Sequence, residues 1–351
     1  MESSLLTEIK KNKSPSPGGT SIRRSLLVLC CAFLTLGLSS FYIISSQRLA
    51  HGPPLHGSIR ILSLNVWGLP EELGSQDKKE RIQRLTDRLY ENPEFDLVFL
   101  QELWMPLDHD TISRGLQGIY IMTEFEDLNQ CPRVMAPWKC SGLAVLSKFP
   151  FQEIEFHSFN VSGRPSKDFI DGENLVNKGM GRVRISLAHN VSVDFFLTHT
   201  IADAPVGQNY TNDDARLDQI GELMFNGVNP SEADLVILSG DLNTGPGSKP
   251  FDLIQRFMSN TALDIYKSLD ALLDPRLSTY ANPHNSWSWN EEKPIMFDYV
   301  FYRTKELGSF NAWTEVFYVP IFSFINEFAK KLSFSDHEGI ITTIMYEQKS
   351  Q

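Results

Sequence analysis

Six short apolar runs of the chain each carry, directly at one end, a polar side chain of catalytic or ligating type. These side chains are Asn65, Glu102, His199, Asp241 with Asn243, Asp298, and Asp336 with His337. Short apolar runs with alternating faces are typical of β-strands. Since strand ends at one edge of a β-sandwich lie close together, we expect these residues to share one site.

The residue types favour a metal site built from oxygen ligands. Glu102, Asp241, Asp336 and Asn65 offer hard oxygen atoms, and neither a cysteine nor a His-x₃-His pair accompanies them. Such coordination suits Mg²⁺, Mn²⁺ or Ca²⁺ rather than zinc. Mg²⁺ is the expected cofactor, with Mn²⁺ as the alternative.

The two histidines of this set, His199 and His337, suggest general acid–base chemistry beside the metal. The sequence has no Gly-x-Ser-x-Gly elbow for acyl transfer and no Gly-x₄-Gly-Lys loop for nucleotide phosphates. A metal site with nearby histidines suits the attack of a metal-activated water on a phosphodiester, a reaction that needs no covalent intermediate.

The elements that must position these residues are mostly strands. Residues 183–187 and 191–197 alternate apolar with polar side chains, whereas Asp77–Tyr90 and Asp213–Phe225 have helical spacing. We predict an α/β (α+β) fold in which two mixed β-sheets pack together and helices flank them. Residues 58–346 show no composition break and form the expected catalytic domain.

A hydrophobic segment precedes that domain. Residues 25–46 contain no charged side chain, and at about 1.5 Å per residue they reach about 33 Å, enough for a hydrocarbon core of about 30 Å. Arg23 and Arg24 stand directly before it, so the positive-inside rule predicts a cytosolic tail at 1–24 and a single-pass signal anchor. Residues 47–57 are the linker. A cleaved signal peptide is the alternative.

Two features agree with a lumenal or extracellular catalytic domain. Asn160, Asn190 and Asn209 begin glycosylation sequons. Cys131 and Cys140 are the only cysteines outside the apolar segment, and they either close a small disulfide or remain free thiols. We therefore expect a glycoprotein of the endomembrane system or the plasma membrane.

The charge of the chain bears on its partners. The formal net charge is −11, and residues 1–46 hold five basic and two acidic side chains, which leaves −14 on residues 47–351. A domain this acidic repels a phosphate polymer, so no stable nucleic-acid complex is expected. The sequence does not indicate an oligomeric state.

The ordered motifs resemble the endonuclease/exonuclease/phosphatase superfamily, which has the deoxyribonuclease I-like fold. They are Leu64-Asn65-Val-Trp67-Gly68, Leu100-Gln101-Glu102, Thr198-His199, Gly240-Asp241-Leu-Asn243, Phe297-Asp298-Tyr299-Val300 and Ser335-Asp336-His337. Within it, Leu64 to Pro70, Glu102-Leu-Trp104 and Ser141 to Lys148 are similar to signatures of the magnesium-dependent neutral sphingomyelinases. The resemblance implies a four-layer sandwich and covers about 58–346.

The resemblance also implies roles for the site residues. Glu102 would bind the metal with Asn65 close by, and Asp336 would support the metal site. His337 would be the general base, oriented by Asp298. The remaining residues would act on the water and the phosphate: Asp241 and Asn243 by positioning, His199 by a hydrogen bond, and Lys178 by its charge. For Lys178 the alternative is a solvated loop lysine.

The resemblance implies a phospholipase C-type hydrolase that cleaves sphingomyelin, or a related phosphocholine lipid, to ceramide and phosphocholine. The alternative is a lumenal or secreted deoxyribonuclease I-like nuclease. One departure from the family pattern concerns the head group, because Pro294-Ile-Met-Phe297 precedes Asp298 where the family often has a basic residue.

The aromatic stretch Phe317–Phe328 ends shortly before Asp336 and is expected beside the catalytic site. Exposed, it would contact the membrane. The alternative is core packing, since Phe322, Ile325, Phe328 and Leu332 have helical spacing.

Overall fold

The computed structural model describes residues 55–131, 140–162, 176–187, 191–203, 212–288, 293–305, 310–320, 322–326 and 328–348. These residues belong to one compact unit, Pro54–Lys349. The predicted tail and anchor at 1–46 and the sequons at Asn190 and Asn209 lie outside the described residues. None of the helices in the described ranges is long and apolar enough to cross a membrane.

Strands dominate the described residues, as their alternating apolar pattern predicts. In chain order they are β1 (Leu55–Asn65), β2 (Leu97–Gln101), β3 (Ile121–Met122), β4 (Ala144–Ser147), β5 (Phe151–Ser158), β6 (Gly179–Ser186), β7 (Ser192–His199), β8 (Leu235–Asp241), β9 (Ser259–Asn260), β10 (Asp298–Thr304), β11 (Phe310–Tyr318), β12 (Ser323–Ile325), β13 (Lys331–Ser333) and β14 (Ile340–Gln348). β1 begins at Leu55, so the first strand already occupies the end of the predicted linker.

The strands form two mixed six-stranded sheets. The first has the order β11-β14-β1-β2-β4-β3, and the second has the order β5-β6-β7-β8-β10-β9. In each sheet one central pair is parallel, β1 with β2 and β7 with β8. The carboxyl ends of these four strands therefore carry the polar residues Asn65, Gln101, His199 and Asp241 at one edge of each sheet.

The two sheets pack face to face over the larger core. Ile59 and Ile61 of β1 belong to the same buried cluster as Phe195 of β7, and Phe99 lies 5.8 Å from Phe195 between ring centroids. The alternate side chains of β1, such as Leu62, face a second cluster under the helices. The period of two residues along the strand thus separates the two cores.

Helices cover the outer faces of the sheets. They are α1 (Lys78–Glu91), α2 (Pro106–Gly115), α3 (Phe125–Leu128), α4 (Asp213–Glu222), α5 (Lys249–Gln255) and α6 (Thr261–Tyr266). A π-helix at Leu223–Val228 continues α4, and 3₁₀ turns lie at Glu71–Leu73, Asp270–Leu273 and Pro275–Leu277. The predicted arrangement of two mixed sheets flanked by helices is confirmed.

Residues 323–325 and 331–333 form strands and not a helix, although the apolar residues of this segment have helical spacing. β12 and β13 pair antiparallel as a hairpin, with Phe324 opposite Leu332. The side-chain oxygen of Asn326 accepts hydrogen bonds from the backbone N–H groups of Phe328 and Lys330 and so stabilises the turn. Apolar residues placed every three or four positions therefore lie in two strands and a turn.

Cys131 and Cys140 form a disulfide bond, and Asn160 is exposed at the end of β5. The free-thiol alternative is therefore wrong. The disulfide closes the loop that leads into β4, and Cys140 itself is fully buried. Residues 132–139 between the two cysteines lie outside the described residues.

Candidate active site

Strand register brings the predicted residues together at one edge of the sandwich. Asp241, the last residue of β8, pairs with His199 of β7 on one side and with Asp298 of β10 on the other. In the other sheet Asn65, the last residue of β1, pairs with Gln101, so Glu102 follows directly beside it.

Asn65 joins the carboxylates of the two sheets. Its amide Nδ2 donates to Oε1 of Glu102 at 2.9 Å and to Oδ2 of Asp241 at 3.0 Å. Its Oδ1 accepts from the backbone N–H of Trp67 at 3.0 Å, which fixes the orientation of the amide. Asn65 thus presents its NH₂ group, and not its oxygen, to Glu102 and Asp241.

The backbone is strained at three residues of this edge. Trp67, Glu102 and Asn243 have φ angles of 48°, 59° and 47°, in the left-handed region that non-glycine residues rarely adopt. Such conformations cost about 1–3 kcal/mol each and are concentrated at functional sites. Gly68 allows a close approach here, because a Cβ on it would lie 2.3 Å from the carbonyl oxygen of Glu102.

His337 and Asp298 form a hydrogen-bonded pair. Nδ1 of His337 lies 2.8 Å from Oδ2 of Asp298, and Nε2 lies 3.7 Å from Oδ2 of Asp241. His337 is 6% exposed and Asp298 is fully buried. Burial lowers the pKa of His337, but the negative charges of Asp298 and Asp241 outweigh it and hold that pKa well above its usual value.

A buried segment that the sequence did not single out supports this pair. The hydroxyl oxygen of Thr279 accepts hydrogen bonds from the backbone N–H groups of Phe297 and Asp298, at 2.9 and 3.1 Å. Its carbonyl oxygen accepts from the N–H of Glu338, the residue after His337, at 2.7 Å. Thr279 therefore links the backbone at Asp298 to the backbone beside His337.

Lys178 is buried beside His199 and is not a solvated loop lysine. It is 3% exposed, and its Nζ lies 3.0 Å from Nε2 of His199 and 5.7 Å from the ring centroid of Trp104. Burial, together with the positive charges of Lys178 and His337, holds the pKa of His199 well below its usual value. His199 is therefore neutral and accepts a hydrogen bond from the ammonium group.

The carboxylates of the site are arranged as a cation would require. Oε1 of Glu102, Nε2 of His199 and Oδ2 of Asp241 lie within 4.8 Å of one another. Burial raises the pKa of Glu102, with a contribution from Asp336, and burial with the charge of Asp298 raises the pKa of Asp241 to about 7. A cation would stabilise both charged forms, and oxygen donors suit a hard divalent ion, so these residues fit Mg²⁺ or Mn²⁺.

Asp336 and Asn243 lie at the margin of this group. Asp336 is half-buried, accepts a hydrogen bond from the hydroxyl of Ser335 at 3.1 Å, and acts on Glu102 through its charge. Two groups of the described side chains could hold a metal ion, Glu102–His199–Asp241 and Asp241–Asp298–His337, and Asp336 belongs to neither of them. Asn243 donates from its backbone to Oδ1 of Asp241 and from its side chain to the carbonyl of Thr200.

Arg81 is a structural residue of the site that sequence reasoning missed. It is fully buried, and its guanidinium donates to the carbonyls of Val66, Trp67 and Phe334 at 2.8–2.9 Å. It thus joins the loop after β1 to the strand end that precedes His337. A signal existed, because Arg81 stands among the apolar positions of the amphipathic helix α1.

The aromatic stretch at 317–328 divides into buried and exposed parts. Phe317 is buried in the main core, and Phe322 and Phe324 pack on Phe334 with ring centroids 6.0 and 5.7 Å apart. At the end of the β12–β13 hairpin, Ile325 is 59% and Phe328 is 80% exposed.

The β12–β13 hairpin lies beside the segment that carries His337. Gly339, two residues after His337, is so close to Phe322 that a Cβ on it would lie 3.1 Å from that ring. Lys330 and Lys331 beside the turn are exposed. Two exposed apolar side chains and two cations therefore project from an element attached to the site.

The fold and this cluster agree with the family to which the chain belongs. It is a member of the Endonuclease/Exonuclease/phosphatase family, whose model matches residues 62–337. The name of the family describes hydrolysis of phosphoric esters, so the predicted enzyme class is confirmed at the level of the family.

Curated relatives include proteins named for sphingolipid hydrolysis. Sphingomyelin phosphodiesterase 2 of Homo sapiens is 28% identical over 300 residues, which cover 82% of this chain and 64% of that protein. Inositol phosphosphingolipids phospholipase C of Schizosaccharomyces pombe is 27% identical over 318 residues, covering 82% and 68%. The resemblance to the sphingomyelinases is confirmed, although about a third of each relative lies outside the match.

Solved structures share the fold. The beta toxin of Staphylococcus aureus matches with a TM-score of 0.61 at 21% identity, over 81% of this chain and 99% of the toxin. A variant of that toxin with bound magnesium ions matches with a TM-score of 0.57 at 19% identity, over 82% and 99%. The deoxyribonuclease I-like architecture expected from the sequence is thus confirmed.

Proposed function

We propose that the chain hydrolyses the phosphodiester of sphingomyelin, or of a related phosphocholine lipid, to ceramide and phosphocholine. The observation that carries this proposal is the pair Asp298–His337, whose free Nε2 faces Asp241 beside the second carboxylate, Glu102. A general base that faces carboxylates able to hold a cation can activate a water molecule for attack on a phosphodiester. The names of the relatives support the lipid substrate.

The cluster would hold a divalent cation through Glu102 and Asp241. Such an ion, when bound, lowers the pKa of a water molecule and polarises a phosphoryl oxygen. Asn65 keeps the two carboxylates at a fixed spacing by donating to both of them. Burial raises the pKa values of Glu102 and Asp241, so a cation bound between them would favour their ionised forms.

His337 acts as the general base at Nε2. One proton of the attacking water passes to Nε2, the water oxygen bonds to phosphorus, and the bond between phosphorus and the ceramide oxygen breaks. The ceramide oxygen takes up a proton from solvent, and His337 returns its proton to solvent. Asp298 accepts the Nδ1 hydrogen bond, which holds the ring and stabilises the imidazolium that forms. Lys178 contributes positive charge on the opposite side, where His199 holds its ammonium.

The cellular setting forms part of the proposal. We infer a single-pass membrane protein whose catalytic domain is lumenal or extracellular. The uncharged segment 25–46, the Cys131–Cys140 disulfide and the exposed sequon at Asn160 support this topology. Ile325 and Phe328 at the hairpin turn would then insert into the membrane that contains the substrate, with Lys330 and Lys331 near its head groups.

A substrate panel tests the proposal. The full-length protein is offered sphingomyelin, an inositol phosphosphingolipid, a lysophosphocholine lipid and double-stranded DNA, each with Mg²⁺ and with excess chelator. We expect Mg²⁺-dependent cleavage of sphingomyelin and no cleavage of DNA, since residues 47–351 carry a charge of −14. Cleavage of DNA in preference to lipid would support the nuclease alternative, and full activity in chelator would refute the metal-assisted mechanism.

A further inference from the structure

Two stacked aromatic rings lie against the catalytic base, and the mechanism above does not use them. The ring of Tyr280 lies 5.0 Å from the imidazole of His337, and it stacks on Phe297 with centroids 5.5 Å apart and planes 25° from parallel. Both aromatic residues are half-buried.

The backbone fixes this pair relative to the catalytic residues. Phe297 directly precedes Asp298, and its N–H donates to Thr279, the neighbour of Tyr280. Tyr280 pairs with His337 through an isolated β-bridge. The backbone therefore links the aromatic pair to the pair Asp298–His337, and the ring of Tyr280 lies next to the imidazole of the proposed base.

Two other aromatic rings near the site, Trp67 and Trp104, face cations of the chain. The guanidinium of Arg81 lies 4.8 Å from the centroid of Trp67, and the ammonium of Lys178 lies 5.7 Å from that of Trp104. Within the described part of the chain, no lysine or arginine lies over Phe297. Its ring is thus available to a cation that comes with the substrate.

The charges of the site are distributed unevenly. Lys178 is buried on the side of His199, whereas His337, which the ring of Tyr280 contacts, lies between the carboxylates of Asp298 and Asp241. Positive charge at one end suits a phosphate, and aromatic faces beside negative charge at the other end suit a cation. A phosphate joined by two methylene groups to a trimethylammonium has this distribution of charge.

We infer that Tyr280 and Phe297 form the binding subsite for a quaternary ammonium head group. The inference rests on the proposed function and specifies which phosphodiester the site selects. A polyhydroxyl head group such as inositol needs hydrogen-bond partners, and an aromatic face satisfies them poorly. We therefore expect the chain to prefer choline esters to inositol esters.

Two soluble substrates of nearly equal shape isolate the charge of the head group. One is p-nitrophenyl phosphocholine, and the other is p-nitrophenyl 3,3-dimethylbutyl phosphate, in which a neutral carbon replaces the nitrogen. With the full-length protein and Mg²⁺, kcat/KM should be about 2- to 30-fold higher for the choline ester, the range expected for a cation–π contact. The variant Phe297→Leu should lose most of this preference, so that the ratio of kcat/KM for the two esters approaches one.

Two matched variants control for packing. Phe297→Trp keeps an aromatic face and should retain the preference, and Phe151→Leu, a half-buried residue of β5, should leave both esters unaffected. Equal kcat/KM for the two esters in the wild type would overturn the subsite while leaving phosphodiester hydrolysis standing. Equal losses of kcat/KM on both esters in Phe297→Leu would also overturn the subsite.

A binding measurement separates failure of the subsite from failure of the proposed function. If neither ester is hydrolysed, the proposed reaction is wrong, and the subsite is then judged by calorimetric titration of the same protein with phosphocholine and with 3,3-dimethylbutyl phosphate. Tighter binding of phosphocholine that Phe297→Leu abolishes would support the subsite. Equal dissociation constants for the two phosphates would overturn it.

Discussion

The imidazole of His337 and the carboxylate of Asp298 lie 2.8 Å apart, although 39 positions separate them in the sequence. Asp298 begins β10 in one sheet, and His337 precedes β14 in the other. Asn65 makes a second link between the sheets through its bonds to Glu102 and Asp241. The site therefore exists only where the two sheets are docked, and local packing of this edge controls the chemistry.

Replacement of the base should abolish most activity without unfolding the chain. We expect His337→Gln to lower kcat by about 10²- to 10⁴-fold, the usual contribution of a general base. Asp298→Asn should cause a smaller loss, because the ring remains but its orientation and charge partner are lost. His157→Gln, at an exposed histidine, should retain activity. A His337→Gln enzyme within a few-fold of wild type, assayed on sphingomyelin, would contradict the assignment.

The variant Asp298→Asn should shift the pH dependence of kcat/KM to lower pH. The base acts in its neutral form, so kcat/KM falls as the pH drops below the pKa of His337. Asp298 raises that pKa, and Asp298→Asn should lower it. The acid limb of the pH profile should therefore move to lower pH in the variant even though the plateau falls. An unmoved acid limb would mean that a group other than His337 sets it.

Loss of the Glu102 carboxylate should mainly weaken the binding of Mg²⁺. Glu102→Gln should raise the Mg²⁺ concentration for half-maximal activity by at least about tenfold, since even an outer partner of a metal ligand commonly contributes that much. Activity measured against Mg²⁺ concentration checks this expectation. Glu126→Gln, at an exposed carboxylate of α3, is the control. Equal Mg²⁺ requirements in the Glu102 variant and wild type would exclude Glu102 as a ligand.

The hairpin variants should separate membrane contact from catalysis. Replacing Ile325 and Phe328 by Ser should lower hydrolysis of sphingomyelin in vesicles by about tenfold or more, because each buried side chain of this size contributes about 1.5–3 kcal/mol. Hydrolysis of p-nitrophenyl phosphocholine and the melting temperature should not change. Tyr90→Ser, at an exposed ring in the last turn of α1, should affect neither substrate. Equal losses on both substrates would show that the hairpin supports the site itself.

Thr279 should act as a positioning residue for the pair Asp298–His337. Thr279→Val leaves two buried N–H groups without their acceptor, which costs about 1–3 kcal/mol of stability and should also lower kcat. Thr279→Ser keeps the hydroxyl and should restore kcat. Thr261→Val removes a comparable buried hydroxyl, which bonds to the carbonyl of Val300. If both Val variants lose stability and neither loses kcat, Thr279 has only a structural role.

Periodicity predicted the sheets well, because a strand with one buried face leaves a clear pattern. β6 and β7 overlap the alternating runs at 183–187 and 191–197, and α1 lies within one residue of its expected bounds. β5 and β11 were missed, since their exposed faces carry mixed polar and aromatic residues. The helical spacing at 322–332 was misleading because a short hairpin can place apolar residues at the same intervals.

The candidate site was predictable where strand ends carry the residues and unpredictable where loops support them. Asn65, His199 and Asp241 were located by the strands that end in them. Thr279 was not, because its role depends on two backbone N–H groups almost 20 positions away and leaves no local pattern. The burial of Lys178 also depends on tertiary packing, against Trp104 and His199.

Release of phosphocholine from sphingomyelin tests the central claim most directly. The full-length protein and its His337→Gln variant are incubated with sphingomyelin vesicles and Mg²⁺, and phosphocholine and ceramide are quantified over time. We predict that the wild type releases phosphocholine and ceramide in equal amounts. In the variant the release should be at least about 100-fold slower. No release by the wild type, or the same rate from both proteins, would contradict the assignment of this site as the sphingomyelin-hydrolysing centre.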